Sequence, residues 1–344
     1  MLLLPFGALF RRIGEEKKMG WNEKIRRVNT NSLGVEAIAP ATSANLGAGF
    51  DVFGVALDAL SDSVYVEAVK GNNIEISVEG VGAESIPVEP HRNTAGVVAT
   101  TLLGLSDKKC GLTLRINKGV KPGSGLGSSA ASAAAAALAV NEVLGLNLSK
   151  SELIKVAARG EIASAGAPHA DNVSPAILGF FTIIKSYDPL EVIQLPAPKN
   201  VEFVVAVPEM TKSTAQMRAI LPKQVNLSDL VHNVGNAAAF IAGIALNDVT
   251  LMGKAMEDAI VEPVRAPLIP GVIEVKKSAL EAGAAGVAMS GAGPSVLALL
   301  NREENKAEDV AEAMRAAFER HGVTSQTIRT KPGPGARIVG REEL

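Results

Sequence analysis

The sequence predicts an α+β protein of two halves, on three observations. Short alternating β segments are interleaved with helical stretches in an order that lacks the strict strand–helix alternation of a doubly wound sheet. Hydrophobic residues make up 47% of the chain but aromatics only 3%, so the core is mostly Ala, Val, Leu and Ile, a mixture suited to β-branched strands packed on Ala-rich helices. A segment at 190–200, with Pro196 and Pro198, separates two stretches that each carry strands and helices.

Residues 1–33 begin with MLLLPFGALF and turn charged afterwards, the reverse of a secretory signal, and read as an N-terminal extension. The strand pattern starts at 35–39 and continues at 63–68, 73–78 and 112–116, where apolar and polar residues alternate. Residues 93–103 read as a helix. The run 130–140 is almost pure alanine, a strong helix former. Residues 151–165 read as the next helix, with Ser151 at its N-cap. The expected domains are therefore 34–195 and 201–344, joined across the proline segment. In the second, 201–207 reads as a buried strand, and 227–246, 250–257 and 271–282 read as helices. Strands at 286–288 and 295–300 flank a glycine turn, followed by an amphipathic helix at 306–321 and a strand at 324–330.

Composition narrows the function. The formal net charge of −2 over 344 residues gives no electrostatic footprint for nucleic acid or an anionic membrane. Cys110 is the sole cysteine, which excludes an intrachain disulfide and points to a reducing, cytoplasmic setting. No run of the sequence approaches the roughly 20 apolar residues that span a bilayer, so no membrane partner is expected. The assembly is left open, a homodimer being one arrangement.

The segment from Lys121 through Pro122, Gly123, Ser124, Gly125, Leu126, Gly127, Ser128 and Ser129 into Ala130 and Ala131 carries the most chemistry. Glycines let backbone approach an anion and adopt positive φ. The loop then opens directly into the alanine helix, whose N-terminus offers unpaired N–H donors and a partial positive charge. Ser128 and Ser129 add hydroxyls able to reach phosphate oxygens or a bound Mg²⁺. No Gly-Lys-Ser/Thr follows, so this is not a Walker A loop. Gly123, Gly125 and Ser128 fail the third glycine of a dinucleotide fingerprint, which disfavours a dehydrogenase.

This loop resembles that of the GHMP kinases (galactokinase, homoserine kinase, mevalonate kinase and phosphomevalonate kinase), in the form Gly-Leu-Gly-Ser-Ser-Ala-Ala at 125–131. Two further motifs occur in the family's order. Residues 39–54 contain Asn45 and Asp51 in a small-residue loop, similar to the homoserine kinase signature, with Ala48 where a proline is usual. Residues 290–295, Ser-Gly-Ala-Gly-Pro-Ser, are the third. The Gly-Glu-His of mevalonate kinases and galactokinases is absent. The resemblance implies the GHMP kinase fold: an N-terminal domain like domain 2 of ribosomal protein S5, then a ferredoxin-like α/β sandwich.

What the resemblance implies for the site is specific. Residues 121–131 would hold ATP. Glu161 would bind Mg²⁺ together with Ser129 or Ser128, one carboxylate and a hydroxyl beside phosphate oxygens being usual for this ion. Asn45 would meet the substrate hydroxyl and Asp51 its ammonium group. Asn172 would orient the hydroxyl, with Asp171 the less favoured candidate for a base, since loose phosphoryl transfer rests mainly on positioning and charge neutralisation. Thr214 and Arg218, in the segment 211–218, would reach the substrate, and Arg218 and Arg265, the latter in 262–271, would grip its carboxylate through planar forks. His169 reads as structural, because no second His or Cys stands at metal spacing. The implied reaction is transfer of phosphate from ATP to L-homoserine, a step towards threonine. The alternatives are another GHMP kinase acting on a different small alcohol, or a non-catalytic nucleotide-binding regulator of the same fold.

Overall fold

The computed structural model describes residues 33–165 and 169–343. All but the last residue of the expected 1–33 extension lies outside the described residues, as does 166–168 within the motif that follows Glu161. The first half runs β1 (Leu33–Asn45), β2 (Gly49–Val69), β3 (Ile74–Gly80), α1 (Thr94–Leu103), β4 (Gly111–Lys118), α2 (Ser128–Leu144), α3 (Lys150–Ala165), α4 (Val173–Leu178), β5 (Phe181–Tyr187) and β6 (Leu190–Leu195). The second runs β7 (Val201–Pro208), α5 (Thr214–Ala219), α6 (Leu227–Leu246), α7 (Val249–Lys254), α8 (Glu262–Arg265), α9 (Val272–Glu281), β8 (Gly286–Met289), β9 (Val296–Asn301), α10 (Ala307–Arg320) and β10 (Ser325–Thr330). A final strand, β11 (Arg337–Glu343), returns to the first sheet and pairs antiparallel with β1.

The seven-stranded sheet has the order β11-β1-β2-β4-β3, with β5 on β2 and β6 on β5. The 21-residue β2 serves two partners: Ser63–Val69 pair with β4 and Phe53–Val55 with β5. The second sheet is β10-β7-β9-β8, antiparallel throughout. Taken in chain order, that places the fourth strand beside the first and the third between first and second, the arrangement of a ferredoxin-like sandwich.

Three departures from the sequence reading matter here. Residues 190–195, expected within the linker, form β6, because Leu190, Val192 and Ile193 pair along β5. The motif at 39–54, expected as a loop, is mostly strand, with only 46–48 turning between β1 and β2. Ser151 is not the cap of α3. Ser149 accepts from the Glu152 N–H at 3.3 Å while Glu152 Oε2 accepts from the Ser149 N–H at 2.8 Å, a capping box one residue outside the helix.

α2 is buried on nearly every side. Its run of alanines lets the sheet and the neighbouring helices α1 and α3 approach closely around it. Gly160 serves the same end on α3: a Cβ there would lie 2.9 Å from the Thr94 carbonyl oxygen. A second core joins the halves through phenylalanines. Phe240 of α6 stacks on Phe53 at 5.6 Å and meets Phe181 edge-on at 6.0 Å, and Phe181 contacts Phe203 at 6.4 Å. By length and composition α6 meets the threshold for crossing a membrane, which the sequence reading denied to every run. Its polar Asp229, His232, Asn233 and Asn236 interrupt the apolar pattern, and Phe240 and Ile244 anchor it in the central core.

Candidate active site

A cavity of 360 Å³ opens between the halves, over the N-terminus of α2. Its phosphate-loop wall is made by Pro122, Gly123, Gly125, Gly127, Ser128 and Ser129. Gly127 sits at φ 62 as the N-cap of α2, with no side chain capping the helix. Only glycine fits, because a Cβ would lie 1.9 Å from Thr42 Oγ1. The helix therefore presents backbone donors to the cavity, as a phosphate group requires. Lys121, Ser124, Leu126, Ala130 and Ala131 do not line it. Ser124 is fully buried and donates to the Lys121 carbonyl at 2.8 Å, while Leu126, Ala130 and Ala131 belong to the cores.

The two loop serines differ. Ser128 Oγ donates to the Val120 carbonyl at 2.7 Å, a bond that shapes the loop. Ser129 Oγ donates to Glu161 Oε2 at 3.0 Å. Glu161 is 6% exposed, and burial pushes its carboxyl up to about 7 against the pull of Ser129 and Lys118. A carboxylate and a hydroxyl, side by side and both facing the phosphate loop, form an oxygen donor set suited to a hard divalent cation. Among the described residues no cluster of three or more His, Cys, Asp or Glu could hold a metal without help, so phosphate oxygens would complete the shell.

The opposite wall brings together residues from distant segments. Asn45 donates to the Gly291 carbonyl at 2.8 Å and accepts from the Asp51 N–H at 3.2 Å. Asp51 adopts φ 58, an unusual conformation for a non-glycine residue, and its carboxylate takes two bonds from Arg218 Nη2 at 2.6 and 2.7 Å. Arg218 Nε is buried without a hydrogen-bond partner among the described residues. Arg265, 3% exposed, donates through Nε to the Met217 carbonyl at 3.1 Å and through Nη1 to the Gly291 carbonyl at 3.3 Å. Both guanidinium groups lie over Phe50, at 5.3 and 5.4 Å. Thr214 stands exposed at the start of α5 on the same wall.

His169, Asp171 and Asn172 lie between the two walls. Burial first, then the Arg218 charge, lower the His169 pKa, and a neutral ring can accept at Nδ1 from Arg218 Nη2, 3.3 Å away. Asp171 is buried, and burial followed by the Asp51 charge pushes it up to about 7. Asn172 Oδ1 accepts from Thr42 Oγ1 at 2.9 Å, and its Nδ2 lies 3.5 Å from Asp171 Oδ1. The glycine turn of the third motif ties the walls together: Ser290 Oγ bonds Ser43 Oγ at 2.8 Å and the Gly125 carbonyl at 2.7 Å.

Sequence reasoning missed Thr42, Phe50, Asp62, Lys118 and Ser132. Thr42 and Phe50 lay inside a quoted motif but carried no separate signal. Asp62 and Lys118 did carry one. They occupy the core-facing phase of their strands, in step with Val64 and Val66 and with Leu114 and Ile116, where a charge needs a partner.

Two domains clasping a glycine loop at a helix N-terminus are the architecture of the GHMP kinases. The model of their N-terminal domain matches residues 93–180 and that of their C-terminal domain residues 239–320. The homoserine kinase of Methanocella arvoryzae is 48% identical over 89% of this chain and 97% of its own length. That of Methanococcus maripaludis is 47% identical, over 88% and 98%. The crystal structure of homoserine kinase from Cytophaga hutchinsonii superposes with a TM-score of 0.84 at 36% identity, covering 92% of this chain and 100% of the other. The chain belongs to the homoserine kinase family of the GHMP kinases.

Proposed function

We propose that this chain transfers the γ-phosphoryl group of ATP to the side-chain hydroxyl of L-homoserine, giving ADP and O-phospho-L-homoserine. The observation that carries the reading is the Asp51–Arg218 pair on the acceptor wall. In this structure the two charges satisfy each other. An amino acid arrives with the same two charges reversed, its carboxylate towards Arg218 and its ammonium group towards Asp51. A sugar or a plain hydroxy acid offers no cation for Asp51.

Arg265 holds the wall rather than reaching out, since its Nε and Nη1 are engaged by the carbonyls of Met217 and Gly291. It adds positive potential behind Arg218. Asn172, fixed at Oδ1 by Thr42, offers Nδ2 to the substrate hydroxyl oxygen and so points it at the phosphate loop. Asn45 holds the turn that carries Asp51. Glu161 and Ser129 would hold Mg²⁺, which supplies charge neutralisation on the phosphates. The hydroxyl proton leaves with the transfer. Asp171 is the candidate to take it, and its raised pKa suits a base near neutral pH.

A coupled ADP-release assay across homoserine, mevalonate, galactose and shikimate tests the reading. Homoserine is expected to be turned over at least tenfold more efficiently than the others. Preference for a substrate without an amino group would overturn it, and no turnover of any would favour the non-catalytic regulator.

A further inference from the structure

The residues at the base of the phosphate loop form a closed ring. Asp62 of β2 has no exposed surface, and its Oδ1 accepts the N–H groups of Gly119 and Val120, each at 3.0 Å. The Val120 carbonyl accepts from Ser128 Oγ at 2.7 Å. The Ser128 carbonyl accepts from Lys118 Nζ at 2.8 Å, and Lys118 closes the ring by pairing with Asp62 Oδ2. Ser132, one turn into α2, braces the pair by donating to Asp62 Oδ2 at 2.7 Å and lying 2.8 Å from Lys118 Nζ.

Asp62 thus grips the loop where it leaves β4, and its counter-ion grips the loop where it enters α2. Buried ion pairs of this kind contribute little net stability over apolar side chains of equal volume, so stability alone does not account for the pair. Holding both ends of a glycine-rich loop is a different task. Gly123, Gly125 and Gly127 would otherwise leave the spacing between the loop backbone and the helix N-terminus free to vary.

We infer that Asp62 is a positioning residue for the nucleotide: through Lys118 and Ser132 it fixes both ends of the phosphate loop, so that the backbone donors over α2 are set before ATP arrives. This rests on the ATP-binding reading of the loop and is independent of which alcohol is phosphorylated.

Two variants test it. Ser132→Ala removes the brace and keeps both charges. The double variant Asp62→Asn with Lys118→Met removes both charges together, so no lone charge is left buried. For each, the dissociation constant for ATP is measured by calorimetry, and amide exchange at Gly119 and Val120 is followed without nucleotide. We expect ATP binding weaker by about threefold in Ser132→Ala and about tenfold in the double variant, the latter equal to about 1.4 kcal/mol. Exchange at both amides should quicken in parallel, while the homoserine KM stays within about twofold. Unchanged ATP affinity in Ser132→Ala overturns the inference, even if the double variant does not fold. Faster exchange with unchanged ATP affinity also overturns it, since the ring would then be structural only. A wild-type protein that binds ATP but ignores homoserine would sink the substrate reading and leave this comparison intact.

Discussion

The two walls of the cavity are built by opposite means. The phosphate-loop wall comes from one contiguous segment, 122–129, and works through backbone geometry and a helix N-terminus. The acceptor wall is assembled from Asn45, Asp51, Arg218, Arg265 and Gly291, and works through side chains with specific partners. A backbone site suits the part of the reaction common to all relatives, the nucleotide phosphates. A side-chain site can be changed one residue at a time, which suits the part that differs between substrates.

The largest effect should come from the carboxylate that stands beside the phosphate loop. Glu161→Gln removes the carboxylate charge beside Ser129 while keeping the volume. Because a single strong electrostatic contribution in such a site is worth about 10²-fold or more, kcat should fall at least that far with folding intact. Steady-state kinetics across a Mg²⁺ series checks this. An unchanged rate would mean that the phosphate wall works through backbone alone, and would break the assignment of Glu161.

A smaller effect, confined to the other wall, is expected from Arg218→Lys. It keeps the charge and loses the planar fork. The homoserine KM should rise about tenfold, in line with the 1.5–3 kcal/mol typical of charge-assisted hydrogen bonds, while the ATP KM barely moves. If ATP affinity falls instead, the walls are not separable and Arg218 serves phosphate.

The smallest effect concerns stability at the boundary between the walls. Burial pushes the Asp171 carboxyl up to about 7 in the fold, above its ordinary value in an unfolded chain. A carboxyl shifted upward favours the folded state while protonated, and that contribution is lost as pH rises through about 7. Asp171→Asn should therefore raise Tm relative to wild type more at pH 8 than at pH 5, by a few degrees in thermal scans. A pH-independent difference would show that Asp171 carries its charge at no cost to the fold.

The same contrast explains what was legible in the sequence. Gly125–Ala131 announced a phosphate loop because local sequence dictates local backbone, and the alanine run read as a helix for the same reason. The family motifs carried Asn45, Asp51, Glu161, Asn172, Arg218 and Arg265 into one cavity, but resemblance could not say what each touches. Arg265 was expected to fork onto substrate and is instead engaged by two backbone carbonyls 26 and 48 positions away. β6 was hidden because Pro196 and Pro198 drew attention to a linker, whereas the strand ends one residue before the first proline. The Asp62–Lys118 pair was hidden because its signal, two charges in core-facing phase, becomes a partnership only once β2 and β4 are known to be neighbours.

The return of β11 to the first sheet bears on how the protein is made. Leu33 pairs with Glu343 and Val35 with Arg341, so the sheet that supports the phosphate loop takes in strands from both ends of the described chain. A ribosome releases the first of these long before the second, at about 5–20 residues each second. Throughout that interval one flank of β1 lacks its partner, and an exposed strand flank is a template for wrong pairing. The ferredoxin-like half has all four of its strands by Thr330, so it can close while the nucleotide-binding half is still waiting for its last seven-residue strand.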